Sequence, residues 1–333
     1  MEMTVKGAAD LLKGAKDVLI LCHQSPDGDT LGSGYGLYFC LKKLGVRARV
    51  LCPDEIPELF KPLLRGYREE SFDPALVVAV DIADAKLMGR LCAQYGDSVD
   101  LCIDHHISNT GYARRLLLDR EAAGTAEVIF ALAKEWGLAP DPHLADCLYT
   151  GIATDSGCFK YQNTTPRTHR IAAELMEWGA DAAEINRAIF DTKSQGRLAA
   201  ESALIRSIRY FCGGRLAVAV MDLATIAETG AGPADFDGLT ALPRQVEGVE
   251  IGVTLREREP GFFKVSVRTS SYVDASALAA RLGEGEGRHP RRGLHHPRHG
   301  GRGGGDHPPT GKGVFALDGR DFVRQQAGGV HLL

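Results

Sequence analysis

The 333-residue chain has no apolar run long enough to cross a bilayer, and its first residues lack the basic-then-apolar pattern of a secretory signal. It has no Cys-x-x-Cys pair. Its eight cysteines, at 22, 40, 52, 92, 102, 147, 158 and 212, are scattered and mostly sit inside apolar runs. This pattern argues against a thiolate zinc framework and favours free buried thiols in a reducing compartment, so the expected location is cytoplasmic, with no membrane partner. An excess of positive charge is also missing, the formal net charge being −4. A broad surface for long nucleic acid is therefore not expected, and any nucleic-acid ligand should be short.

What is present is an ordinary globular composition, 44% hydrophobic, and enough length for two domains. Apolar runs at 17–22, 47–52, 76–80 and 99–103 read as strands. Helical spacing is found over 5–14, 31–44, 84–94, 121–136, 142–153, 165–177 and 182–190, with a short helix over 55–65. Strands alternating with helices imply right-handed crossovers and an α/β fold with a mainly parallel sheet over residues 1–192. Residues 193–200 read as a linker, extended or helical. Strands at 215–221, 249–255 and 262–267 and a helix over 273–282, with Asp274 near its start, suggest a smaller α+β domain over 201–282. Residues 283–333 become Gly-, Arg-, His- and Pro-rich and hold six of the eleven histidines. The stretch up to about Gly313 offers no periodic apolar face for packing.

In parallel sheets, ligands sit beyond the carboxyl ends of the strands. His23 follows the first strand, Asp81 the third, and Asp104-His105-His106 the fourth. The loop after His23 adds Asp27 and Asp29, one residue apart, and the helix ending near 153 leads to Asp155. Each piece alone has a structural explanation: Asp81 and Asp155 could cap helices, and His23-x3-Asp27-x-Asp29 could be an Asx-rich turn. Their convergence on one sheet edge favours chemistry instead. Four carboxylates and two imidazoles, without a thiolate, suit manganese or a similar divalent ion better than structural zinc. Six ligands are too many for one ion that also holds water and substrate. Two ions sharing a carboxylate fit better and suit in-line attack at phosphorus.

His23-Gln-Ser-Pro-Asp27-Gly-Asp29, Asp81, Asp104-His105-His106 and Thr154-Asp155-Ser-Gly resemble the four motifs of the DHH phosphoesterase family. The similarity runs to about Leu282 and includes the smaller DHH-associated domain. It is most similar in size and motif wording to the bacterial nanoRNase/pAp-phosphatase group, a cytoplasmic class of hydrolases and exonucleases. The resemblance implies hydrolysis of short oligoribonucleotides and of 3′-phosphoadenosine 5′-phosphate (pAp), with two divalent ions, expected to be Mn2+, activating water. It assigns His23, Asp27 and Asp81 to one ion, and Asp29, Asp81, His105 and Asp155 to the other. Asp104 would orient a neighbouring imidazole, and His106 would contact the scissile phosphate or assist the leaving oxygen. Arg268 and His289 would bind substrate. Ser33 reads either as a support for the metal loop or as a helix-surface residue.

A cyclic-dinucleotide phosphodiesterase would share every metal ligand, and a manganese pyrophosphatase or polyphosphatase would share a related metal loop. Substrate preference, polarity of degradation and whether the chain forms a homodimer are left open. After Leu282 the family has a glycine-rich segment with a histidine, of which Gly283, Gly285, Gly287 and His289 keep a trace. The following Gly-Leu-His-His-Pro-Arg-His-Gly-Gly-Arg-Gly can be back-translated so that a one-base shift restores a family-like continuation; a frameshift in the gene or its record, beginning between Gly283 and Gly293, is one explanation, and a genuine tail that impairs substrate binding is the other.

Overall fold

The computed structural model describes residues 1–236, 238–270, 273 and 331–332. The chain divides into two compact units, Met1–Thr192 and Lys193–Leu333. The fold class is the expected one, a parallel α/β sheet flanked by helices in the first unit and a separate sheet, also of five strands, in the second.

In the first unit, α1 (Val5–Lys13) leads into β1 (Asp17–Leu21), α2 (Gly28–Lys43), β2 (Arg47–Leu51) and β3 (Leu76–Val80). Then come α3 (Cys92–Tyr95), β4 (Leu101–Asp104), β5 (Arg115–Leu118), α4 (Thr125–Glu135), α5 (Pro142–Asp155), α6 (Pro166–Glu177) and α7 (Ala182–Asn186). The strands lie in the order β2-β1-β3-β4-β5, and every pairing is parallel. Sequence dictates the placement. The Leu-Val-Val-Ala-Val of β3 has no polar face and is buried throughout, so it takes the centre; Arg-Ala-Arg-Val-Leu alternates and takes an edge as β2. Val18 and Ile20 face one apolar layer, with α1, α2, α4 and α5. Leu19 and Leu21 face the other, with Met88, Leu91 and Tyr95. Burying a single such side chain stabilises by about 1.5–3 kcal/mol.

Several boundaries differ from the sequence reading, each for a local reason. The helix expected from residue 31 begins at Gly28, because the Asp27 carboxylate accepts the amides of Asp29 and Thr30 and caps it. Asp29 is therefore helical rather than in a loop. The helix expected over 84–94 is 3-10 turns at Ala85–Leu91 followed by the short α3, since Gly89 takes a φ of 54° inside it. The helix expected over 121–136 starts at Thr125, and the residues just before it form a turn. Beyond α7 the chain continues as a π-helical turn, Arg187–Asp191. The four-residue β5 was not foreseen, being too short to show a period.

In the second unit, α8 (Gln195–Ser207), β6 (Arg209–Phe211), β7 (Leu216–Met221), α9 (Leu223–Thr229), β8 (Ile251–Glu259), β9 (Phe262–Thr269) and β10 (His331–Leu332) form a sheet ordered β10-β9-β8-β7-β6. Residues 193–200, read as a linker, open this unit. Ser194 caps α8, and Ala200 packs against Ala219 and Met221. Apart from residue 273, the helix expected over 273–282 lies outside the described residues, as do Asp274 near its start, His289 and the proposed frameshift. Among the described residues, no helix is long and apolar enough to cross a membrane.

Candidate metal centre

The strand order places β1 beside β3, with the chain leaving for β2 on one side and β4 on the other. A reversal of this kind opens a crevice beyond the strand ends. His23 and Asp81 emerge from these two neighbouring strands, and Asp104-His105-His106 from the next. Asp29 reaches the same edge from the first turn of α2, and Asp155 from the last residue of α5.

The structure brings all six expected ligands together in two groups. In the first, His23 Nε2 lies 3.5 Å from Asp27 Oδ1 and 3.6 Å from Asp81 Oδ2. In the second, His105 Nε2 lies 3.3 Å from Asp155 Oδ2, 3.7 Å from Asp81 Oδ1 and 3.9 Å from Asp29 Oδ2. Asp81 thus turns one carboxylate oxygen toward each group. His106 Nδ1 also lies 3.5 Å from Asp81, but it pairs with Asp104 at 2.8 Å and so is already engaged.

The imidazoles are set by their outward nitrogens. His23 Nδ1 is 2.7 Å from Gln24 O, and His105 Nδ1 is 3.2 Å from Ala122 O. A carbonyl only accepts, so each Nδ1 carries the hydrogen and Nε2 faces the carboxylates. His105 Nε2 is buried and has no hydrogen-bond partner. A buried nitrogen aimed at three carboxylates and bonded to none of them is the arrangement expected of a metal ligand.

Asp29 sits in a built cradle. Its two oxygens accept the amides of Thr125 at 2.7 Å and Ala126 at 3.0 Å, at the start of α4, and Ser33 Oγ donates at 3.2 Å. A Cβ on Gly124 or Gly151 would come within 2.9 and 2.8 Å of the Asp29 carboxylate, so only glycine leaves it room. Thr125 Oγ1 donates to Asp81 Oδ1 at 2.9 Å. Asp81 itself holds a φ of 59°, a left-handed conformation that aspartate tolerates better than most residues but that still costs free energy.

The electrostatics describe a site short of positive charge. Burial, with the Asp81 and Asp155 carboxylates close by, pushes Asp29 well above the ordinary carboxylate range, and burial raises Asp81 too. Burial alone would lower His23, but Asp27 and Asp81 outweigh it and push it up to about 11. A bound cation would replace that proton and relieve the repulsion, so the residues fit divalent ions.

Asp104 is fully buried and lies outside both ligand groups. Its Oδ1 accepts from the amides of His105 and His106 and pairs with His106 Nδ1, while Asn109 Nδ2 donates to Oδ2 at 2.6 Å. Burial would raise its pKa, but these partners hold it below the ordinary carboxylate range. Arg268 stands exposed on β9 in the second unit. The sequence reading missed Thr125, Ala122 and Asn109. A threonine opening a helix directly after a glycine was the available signal for the first. Nothing local distinguishes the other two.

Residues 17–152 match the profile of the DHH family, N-terminal domain. Over 282 residues, 83% of this chain and 84% of the other, it is 33% identical to the bifunctional oligoribonuclease and PAP phosphatase NrnA of Thermus thermophilus. The chain belongs to the DHH family. As a member of that family, it is a hydrolase of phosphate esters. This DHH phosphoesterase is also 30% identical to Bacillus subtilis NrnA over 185 residues, 53% of this chain and 58% of that one. Its fold is similar to that of an exopolyphosphatase-related protein from Bacteroides fragilis, with a TM-score of 0.77 at 24% identity, covering 86% of this chain and 88% of that one.

Proposed function

We propose that this DHH phosphoesterase hydrolyses short oligoribonucleotides and pAp, using two divalent ions, with manganese the expected metal. The observation that carries the proposal is the paired arrangement of ligands around Asp81, with one carboxylate oxygen facing each group. His23, Asp27 and Asp81 would hold one ion, and Asp29, Asp81, His105 and Asp155 the other. Bound there, the ions would supply an activated water and neutralise charge on a phosphoryl group.

The protein's own contributions follow from its hydrogen bonds. The α4 amides and Ser33 fix Asp29, and Ala122 O fixes the ring of His105. Asp104 holds His106 by Nδ1, which leaves Nε2 for substrate. Burial disfavours the charged imidazole, yet Asp104 and the Asp81 carboxylate raise His106 above its ordinary value. A protonated Nε2 there suits a scissile phosphate oxygen or a leaving oxygen. Arg268 and His289 are assigned to the substrate's phosphate and nucleotide; a guanidinium can fork onto a terminal phosphate. The names of the Thermus and Bacillus relatives support this substrate class, and the absence of excess positive charge favours short chains. All eight cysteines are free, which fits a cytoplasmic setting.

The test is a manganese-dependent assay on pAp, a labelled RNA dimer, pyrophosphate, and linear and cyclic di-AMP, with His105→Ala as control. Cleavage of pAp and the dimer, lost in the variant, is the expected result. Turnover confined to pyrophosphate or cyclic di-AMP would overturn the substrate assignment.

A further inference from the structure

Three of the six candidate ligands bond to one short loop, a fourth is joined to it through Asn163, and two side chains from a distant part of the sequence hold that loop. Residues 119–127 join β5 to the first turn of α4. Ala122 O receives His105 Nδ1, the Thr125 and Ala126 amides donate to Asp29, and Thr125 Oγ1 donates to Asp81. Arg167, at the start of α6, spans both ends of the loop. Its Nη1 donates to Asp119 Oδ2 and its Nε to Glu127 Oε2, each at 2.9 Å. Glu127 is almost wholly buried, so its carboxylate depends on this partner. Asn163 completes the arrangement: its Nδ2 donates to Ala123 O at 2.8 Å and to Asp155 O at 3.0 Å, joining the loop to the backbone of the fourth ligand.

We infer that Arg167 and Asn163 are positioning residues for the metal centre, clamping loop 119–127 so that Asp29, Asp81, His105 and Asp155 stay in register. Neither touches a ligand side chain among these contacts; each acts through the loop or the Asp155 backbone. The inference rests on the reading of the two ligand groups as divalent-ion sites. The guanidinium geometry is required as well as its charge, because a lysine presents a single nitrogen and cannot reach Asp119 and Glu127 along two fixed directions.

The experiment is an Mn2+ titration of the purified full chain, followed by the electron paramagnetic resonance signal of free Mn2+, beside thermal unfolding of the metal-free protein. The variants are Arg167→Lys, Asn163→Ala and the double change Arg167→Met with Glu127→Gln, which leaves no unpaired buried carboxylate. Lys134→Ala is the control, since Lys134 pairs with Glu174 and joins the same two helices away from the loop. The expected result is Mn2+ affinity weaker by about tenfold in the Arg167 variants, by several-fold in Asn163→Ala, and unchanged in Lys134→Ala. Wild-type affinity in folded Arg167→Lys and Asn163→Ala proteins would overturn the clamp, whatever their thermal stability, because a purely structural role lowers the unfolding temperature alone. If the double variant does not fold, Asn163→Ala decides, since it removes no charge. Wild-type protein that takes up no Mn2+ would instead overturn the metal reading, and the clamp with it.

Discussion

The two ligand groups have nearly the same chemistry and opposite settings. Around His105, the Asp29 side chain is 1% exposed and its oxygens are held by two backbone amides and a serine. Around His23, the Asp27 side chain is 59% exposed, and the amides it accepts are those of its own helix cap. One group is a preorganised interior site, and the other opens to solvent at Asp27. The inner position should therefore bind its ion tightly and release it slowly, and the outer should exchange with solvent. The difference comes from the elements that carry the ligands. The inner ones lie where α2, α4 and α5 pack closely, with a Cβ on Gly32 brought within 2.4 Å of Cys147 O. His23 and Asp27 lie on the loop that leaves β1, and the shared Asp81 follows β3.

Asp81 belongs to both groups, so its removal should erase the contrast and have the largest effect. Asp81→Asn keeps a residue that tolerates the left-handed backbone. We expect Mn2+ binding to fall at both positions and pAp turnover to drop by about a thousandfold or more, on the order of 4 kcal/mol of lost transition-state stabilisation. Equilibrium dialysis with a turnover assay reads both. Retention of one tight ion would mean that Asp81 serves a single site.

Asp29→Asn and Asp27→Asn set the groups against each other. The first should abolish the tighter of two binding phases in calorimetry. The second should weaken only the looser phase, because asparagine still caps α2. Equal losses in both variants would remove the distinction between interior and rim.

A smaller effect is expected from Ser33→Ala, which takes away one hydrogen bond to Asp29, about 1 kcal/mol. The inner affinity should fall by several-fold and the outer stay as it was, measured in the same titration.

The last test is the pH dependence of the metal-free protein. His23 is raised from its ordinary 6.5 to about 11 by Asp27 and Asp81, so its protonated form stabilises the fold fully below about pH 6.5. That contribution is lost as pH climbs through 11. Thermal unfolding scans between pH 7 and 11 should show a decline in the wild type that is reduced in His23→Gln. Bound Mn2+ should flatten it by occupying the proton's place.

Much of the cluster was legible in the chain because several of its candidate ligands follow apolar runs that can only be core strands. Asp104-His105-His106 after Val-Asp-Leu-Cys-Ile and Asp81 after Leu-Val-Val-Ala-Val announce themselves by that contrast. Asp27 and Asp29 were readable as candidate ligands, but their division into a rim carboxylate that caps a helix and an interior one was not. Asn109 and Asn163 gave no signal, because an isolated asparagine in a loop looks the same whether it faces water or a buried carbonyl.

The sequence by itself determined the alternation of strands and helices, the sheet edge at which the chemistry would gather, and the donor types, since these follow from local periodicity and the cost of burying charge. Only the tertiary structure decided which oxygen of Asp81 faces which histidine, why Gly124 and Gly151 must lack side chains, and how Arg167 reaches across forty residues to Glu127. Those are distances between segments far apart in the chain, and no local pattern encodes a distance that folding alone creates.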